Sequence, residues 1–192
     1  MEIEYEATFT NINKNDIREK LKKLGAKLVK QEFLMKRVVF NMPEGHEIKG
    51  GWLRVRDEGD KITMSLKVIE NGKIENQKEI MVGVDNFNSA VSLLEATGCG
   101  KKAYQETKRE IWDINGVDIC IDEWPFLKPF VEVEAVSEEA VKKVSGDLGF
   151  DYSKALFCGV GHIYELQYGI DENVVNKEIP LIKFEMKNPF IR

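Results

Sequence analysis

The first nine residues restrict the fold of this chain more than any other stretch. They alternate between polar and apolar residues, and a period of two is the pattern of a β-strand with one polar and one apolar face. The polar face carries Glu2, Glu4, Glu6 and Thr8. Carboxylates on one strand face repel each other unless cations lie between them, so a divalent-metal site is the first hypothesis. The alternative is the solvated face of an edge strand, where charge is common.

Length and composition describe one globular domain, or one domain with an appendage. The 192 residues are 43% hydrophobic and 32% charged, with a net charge of -5. This charge argues against broad binding to nucleic acid or to anionic membranes. The sequence has no run of 18 apolar residues, so we expect no membrane span. The acidic N-terminus lacks the pattern of a signal peptide. The three cysteines, Cys99, Cys120 and Cys158, suit reduced thiols in a cytoplasm.

The order of predicted elements indicates an antiparallel α+β fold. Helical spacing follows the first strand up to Gly25, recurs over residues 85–97, and begins again at Ser137. The remaining segments alternate as strands. Turns are predicted at 57–60, at Asn71-Gly72 and at Asn115-Gly116.

Each strong strand has one charged face, and this allows two interpretations. In an open sheet the charged faces would meet solvent, whereas in a closed barrel they would line the lumen. These faces carry Glu2, Glu4, Glu6, Arg54, Arg56, Lys67, Glu132 and Glu134, with few neutral polar residues among them. Interleaved acids and bases suit a polyanion held with metal ions, because bases bind phosphate oxygens and acids bind metals. The composition of these faces therefore favours the lumen.

Five short motifs, in order along the chain, resemble those of the CYTH superfamily, also called triphosphate tunnel metalloenzymes. The first strand of that family carries Glu-x-Glu-x-Lys, and this chain has Glu4-Tyr5-Glu6-Ala7-Thr8. The other matches are Leu53-Arg54 with Ser65-Leu66-Lys67, then Arg109 with Asp122, then Phe130-Val131-Glu132-Val133-Glu134, and finally 162–166. The resemblance covers residues 1–167 and is nearest to members of the class IV adenylyl cyclase type. It leaves 168–192 as a C-terminal extension that packs on or near the barrel.

The resemblance implies an eight-stranded antiparallel barrel with peripheral helices, whose tunnel holds a triphosphate. Its expected metal ligands, for Mg²⁺ or Mn²⁺, are Glu4, Glu6, Glu132 and Glu134. Its expected phosphate-binding residues are Arg54, Arg56, Lys67 and Arg109. Glu4, Glu6, Arg109 and Asp122 are the expected catalytic residues.

Two departures from the family pattern affect the expected chemistry. Thr8 and Thr107 stand where the family has lysines, so two cations of the tunnel are missing. Lys36 and Arg37 stand where the family strand often carries an acid, and one of them could replace a missing cation. Glu79 is a further candidate for the tunnel wall.

Three functions remain open from the sequence. The first is hydrolysis of inorganic tripolyphosphate or of a nucleoside triphosphate. The second is the class IV adenylyl cyclase reaction, which forms cyclic AMP and pyrophosphate from ATP. The third is a protein that binds a nucleotide or polyphosphate without turnover, a hypothesis that the two threonines support. A homodimer is left open, and the extension could close a tunnel mouth, pack on the barrel or form a dimer contact.

Overall fold

The computed structural model of the protein describes residues 1–70 and 72–191. Its helices are α1 (Lys14–Lys23), α2 (Phe87–Ala96), α3 (Glu138–Asp147), α4 (Val160–Tyr168) and α5 (Glu172–Glu178). The first five strands are β1 (Glu2–Ile3), β2 (Tyr5–Phe9), β3 (Lys27–Asn41), β4 (Gly51–Asp57) and β5 (Ile62–Ile69). The others are β6 (Gln77–Val84), β7 (Gly100–Ile114), β8 (Val117–Glu123), β9 (Phe130–Ala135) and β10 (Leu181–Ile182).

Helices α1, α2 and α3 begin where the sequence provides capping side chains. The side chain of Asn13 accepts hydrogen bonds from the backbone N–H groups of the first turn of α1, and Asn86 and Ser137 do the same for α2 and α3. Such caps satisfy N–H groups that have no partner inside the helix. Gly25 follows α1 with a φ of 75°, a conformation that costs glycine little. Asn71 of the turn predicted at Asn71-Gly72 lies outside the described residues.

The strands form a nearly closed antiparallel barrel. Their order around the sheet is β1-β6-β5-β4-β3-β7-β8-β9-β2. Because β1 and β2 follow each other along the chain, the first strand joins the two ends of the sheet. Counted as one strand, β1 and β2 give the predicted eight; counted separately, they give nine. β10 adds a short parallel pair with β7.

The first strand changes partners at Glu4, and this splits a stretch whose alternation predicted one continuous strand. Before that point Glu2 lies opposite Glu79 of β6, and after it Glu6 lies opposite Glu134 of β9. Gln77 stabilises the backbone where the first strand changes partners. Its backbone oxygen accepts from the N–H of Glu4 at 2.9 Å, and its side-chain amide donates to the backbone oxygen of Glu6 at 2.7 Å.

The apolar faces of the strands point outward, and helices cover most of them; the outer face of β6 stays exposed at Ile80 and Val82. One buried cluster joins Ala7, Ile119 and Val133 of the barrel to Leu21 of α1 and Val141 of α3. A second packs α2 on β3 and β4, and a third joins α4, α5 and β10 to the end of the barrel near Trp124. Since the outer face is the apolar one, the charged face points into the lumen, as the composition of the strands predicted. In the described part of the chain, no helix combines the length and the hydropathy needed to cross a bilayer.

Candidate active site

A cavity of about 820 Å³ occupies the interior of the barrel. Strands from all around the ring contribute inward side chains to its wall, because closure of the sheet turns their charged faces toward a common space. The helical end of the molecule contributes as well, through residues of α4 and α5 such as Gly161 and Asn173. The wall includes all but one of the residues predicted for catalysis, substrate or metal: Glu4, Glu6, Arg54, Arg56, Lys67, Arg109, Glu132 and Glu134. The exception is Asp122.

Three of the four predicted metal ligands form a compact carboxylate group. One oxygen from each of Glu4, Glu6 and Glu134 lies within 4.8 Å of the others. The crossing of the first strand places Glu4, and the β2–β9 register places Glu6 beside Glu134. Burial, with repulsion from neighbouring carboxylates, raises the pKa of Glu4 to about 8 and that of Glu134 to about 7.

This carboxylate group fits a divalent cation. Hard oxygen donors from three carboxylates match Mg²⁺ or Mn²⁺. A positive group already lies among them, because Nζ of Lys67 is 2.7 Å from Oε2 of Glu4 and 3.6 Å from Oε1 of Glu6. Burial alone would lower the pKa of Lys67, but Glu6 and Glu4 raise it. The position therefore favours positive charge.

Glu132, the fourth predicted ligand, is paired with Arg109 instead. Nη2 of Arg109 contacts Oε2 of Glu132 and lies 2.6 Å from Oδ2 of Asp122, while Nε lies 2.8 Å from Oδ1 of Asp122. Asp122 is fully buried, and both of its oxygens are engaged by Arg109. In this structure Asp122 orients the guanidinium of Arg109. It is not among the described residues that line the cavity.

The other predicted phosphate-binding residues also lie in ion pairs. Arg54 Nη2 is 2.8 Å from Oε1 of Glu79, and Arg56 Nη2 is 2.8 Å from Oε1 of Glu58. Burial would raise the pKa of Glu79, but Arg54 and Lys67 lower it to about 2. Burial and the nearby Arg54 lower the pKa of Arg56 to about 10. The candidate Glu79 is thus part of the wall.

Both threonines that replace family lysines are buried. Thr8 is joined to Leu156 by two backbone hydrogen bonds of 3.0 Å. Thr107 accepts a hydrogen bond of 3.0 Å from Nη2 of Arg37. Of the two candidate replacement cations, Lys36 is exposed and Arg37 is buried at the cavity wall. Because Lys36 and Arg37 are neighbours on β3, their side chains point to opposite faces of the sheet. The sequence alone does not show which of the two points into the lumen.

The remaining candidates lie away from the centre of the cavity. Glu2 is exposed, and Lys108 points outward to pair with Glu123 at 3.6 Å. His162 lies at the helical end of the cavity, with Nδ1 2.7 Å from Oε2 of Glu165. Trp52 and Trp124 line the cavity, and Trp124 is buried with one face on Arg37, whereas Phe40 lies in the core.

Comparisons with known proteins agree with this architecture. A family model described as CYTH domain matches residues 1–147. No curated protein sequence matches the chain significantly. The PH1819 protein of Pyrococcus horikoshii is 20% identical with a TM-score of 0.68, over 85% of this chain and 98% of that chain.

Two further solved structures have the same fold. A candidate adenylate cyclase of Vibrio parahaemolyticus is 14% identical with a TM-score of 0.72, over 84% of this chain and 97% of that chain. A candidate adenylyl cyclase of Hippeastrum, described as having a dominant triphosphatase activity, is 17% identical with a TM-score of 0.56, over 86% and 96%. At these identities the likeness shows the fold alone.

Proposed function

The chain belongs to the CYTH domain family, and from that premise we propose that it is a divalent-metal-dependent enzyme that cleaves a triphosphate inside its barrel. The observation that carries the proposal is the wall of the cavity. A three-carboxylate group and several buried cations face one cavity of about 820 Å³. Acids that bind a metal and bases that bind phosphate oxygens are the two parts that phosphoryl transfer requires.

In this proposal Glu4, Glu6 and Glu134 hold the metal, with Glu132 at the edge of the group. A bound divalent cation would polarise the phosphoryl group and neutralise part of the charge of the triphosphate. Lys67 lies next to these carboxylates and would contact a phosphate beside them. Arg54, Arg56 and Arg109 would bind the other phosphate oxygens through guanidinium forks, which match phosphate geometry.

The ion pairs in the wall keep these cations oriented before the substrate arrives. Arg109 is fixed by two carboxylates, so little side-chain entropy remains to be lost when it meets a phosphate. Hydrolysis further requires a water molecule beside the terminal phosphorus. Attack by that water breaks the terminal P–O bond and releases orthophosphate. We favour this reaction, with inorganic tripolyphosphate or a nucleoside triphosphate as substrate, because it demands least recognition of a base.

Two other functions each have one observation in their favour. A class IV adenylyl cyclase would form cyclic AMP and pyrophosphate from ATP, and the structure from Vibrio parahaemolyticus is described as a candidate adenylate cyclase. The cavity volume leaves space for a nucleoside beside a triphosphate. A binding protein without turnover is favoured by Thr8, because a hydroxyl in place of the family lysine supplies neither positive charge nor a base.

The test is incubation with tripolyphosphate, ATP or GTP in Mg²⁺ or Mn²⁺, with products separated by ion exchange. Orthophosphate identifies hydrolysis, and cyclic AMP with pyrophosphate identifies cyclisation. Glu4→Gln should reduce turnover about 100-fold or more, since even residues that only support metal ligands contribute 10- to 100-fold. Glu2→Gln is the matched control, because Glu2 is a glutamate only two residues from Glu4 but is exposed.

The outcomes separate the candidates. Full activity in Glu4→Gln would contradict a metal held by the carboxylate group. Metal-dependent binding of tripolyphosphate without product would favour the non-catalytic function. Absence of both binding and turnover in the wild type would refute the proposal. Circular dichroism of each variant shows whether its fold is retained.

A further inference from the structure

Arg37 differs from the four cations of the cavity wall that the sequence predicted to bind phosphate. Arg54, Arg56, Lys67 and Arg109 each pair with at least one carboxylate. No carboxylate of the described chain forms an ion pair with Arg37, although its side chain is as buried as theirs, with 7% of the residue exposed. Its guanidinium donates to Thr107 Oγ1, and its Nε is buried without a hydrogen-bond partner.

The surroundings of Arg37 concentrate positive charge. Arg37 on β3 lies directly opposite Arg56 on β4 in the antiparallel register, and like charges in such a pair repel each other. Burial, with repulsion from Arg54, Arg56 and Arg109, lowers the pKa of Arg37 well below its usual value. An arginine in a protein nevertheless stays protonated, so the group stays charged. A buried charge without a partner is unfavourable, and an anion in the cavity would relieve it.

The guanidinium of Arg37 is also held in a defined orientation. Its central carbon lies 4.6 Å from the centre of the Trp124 ring, and Thr107 fixes one of its amino groups. Stacking of this kind orients the plane of the fork while its remaining N–H groups stay available for an acceptor. Trp124 belongs to the buried cluster formed by α4, α5 and β10, so the end of the barrel covered by those helices supports Arg37.

We propose that Arg37 is a phosphate-binding residue that acts with Arg56 on one phosphoryl group of the substrate and supplies the cation that is missing at Thr107. The inference rests on the proposed function, because it takes the anion in the cavity to be a polyphosphate. Its chemistry is charge-assisted hydrogen bonding to non-bridging phosphate oxygens. It makes Thr107 a hydrogen-bond partner that positions Arg37.

The proposal predicts opposite effects of one substitution on affinity and on stability. Arg37→Met keeps most of the side-chain volume and removes the charge. The dissociation constant for tripolyphosphate, measured by calorimetry in EDTA to prevent turnover, should rise about 10- to 100-fold, the value of a hydrogen bond to a charged group. The melting temperature of the free protein should rise by about 2–4 °C, because an uncompensated buried charge is lost.

Three comparisons sharpen the test. Lys36→Met is the matched control, since it removes a charge from the next residue of the same strand on the exposed side, and it should leave affinity unchanged. Arg37→Lys, which keeps the charge but loses the fork, should lose less affinity than Arg37→Met, whereas a residue needed only for packing would tolerate Met at least as well as Lys. Thr107→Lys in the Arg37→Met background should restore binding, because a lysine there places an ammonium beside the lost guanidinium.

Two results would overturn the inference. If Arg37→Met binds tripolyphosphate like the wild type while Arg54→Met does not, Arg37 has no role in binding and the proposed function stands. If Arg37→Met lowers the melting temperature and the affinity together, Arg37 is a structural residue. A wild type that binds no tripolyphosphate, with or without Mg²⁺, would refute the proposed function and this inference with it.

Discussion

Cys158 shows how the cavity changes the chemistry of a single side chain. It lines the helical end of the cavity and is partly exposed, whereas Cys99 and Cys120 are buried. Burial, with the charges of Glu172, Glu6 and Glu132, raises the pKa of Cys158 to about 12. Because the thiolate is the reactive form, this thiol is poorly nucleophilic at neutral pH.

We predict that iodoacetamide modifies Cys158 at pH 8 at least about 30-fold more slowly than a free cysteine, even allowing for the greater intrinsic nucleophilicity of a high-pKa thiolate. The rate should climb about tenfold per pH unit as the thiolate fraction grows toward the raised pKa. Tripolyphosphate should slow it further by filling the cavity. Peptide mass spectrometry measures the modification, and Cys158→Ser supplies the background. Modification at the rate of a free cysteine at pH 8 would contradict the raised pKa.

Alternation along the strands predicts which faces are charged, and it assigns Glu4, Glu6, Arg54 and Lys67 to those faces correctly. It does not assign Arg37. The pairing of β3 with β7 has three register shifts, so inward and outward side chains do not alternate regularly along the whole of β3. Nor does alternation show that Asp122 is committed to Arg109, because a sequence pattern gives the face of a residue but not its ion-pair partner.

At the level of elements, the C-terminal segment is the least predictable part. Residues 168–192 have a weak pattern, and the sequence leaves three roles open for them. The structure forms α5 and β10 from this segment, and the N–H of Tyr104 in β7 donates to the backbone oxygen of Pro180 at 2.9 Å. Asn173 and Val175 reach the cavity wall. Tertiary packing, which has no local signature, stabilises these short elements.

Ile182 tests how firmly this segment is held. Its side chain is fully buried in the cluster with Trp124 and Tyr164, whereas Leu181, the other residue of β10, is 39% exposed. Ile182→Ala should lower the free energy of unfolding by about 2–4 kcal/mol, from lost burial and the cavity that remains. Leu181→Ala should cost less than about 1 kcal/mol. Urea denaturation measures both, and equal small losses would show that β10 contributes little to the barrel.

Across the whole molecule, the net charge of -5 conceals an interior in which both signs are concentrated. The carboxylate group repels a polyanion, and the arginines repel a metal cation. A bound metal would neutralise the carboxylates and so favour binding of the polyanion. A bound polyanion would neutralise the arginines and so favour binding of the metal. Such coupling is reciprocal, so the factor by which a metal raises triphosphate affinity equals the factor by which triphosphate raises metal affinity.

We predict that Mg²⁺ and tripolyphosphate stabilise Glu6→Gln additively but stabilise the wild type by more than the sum of their separate effects. Ligands that bind only the folded state raise its melting temperature by an amount that grows with the ratio of ligand concentration to Kd, and coupling increases this ratio by lowering Kd. Differential scanning fluorimetry in EDTA, in each ligand alone and in both, measures the excess, with readings taken before turnover consumes the substrate. Strict additivity in the wild type would place the metal away from the phosphates.

The crossing of the first strand from β6 to β9 also orders events during synthesis. A ribosome releases residues 2–9 long before β9, and β2 cannot form this pair until β9, which ends at Ala135, has emerged. While residues 10–135 are being synthesised, β2 therefore lacks its partner β9, and Glu4 and Glu6 have no Glu134 beside them. The nascent chain acquires its carboxylate group only when the ring closes, so the long-range pairing that completes the barrel also assembles the candidate site.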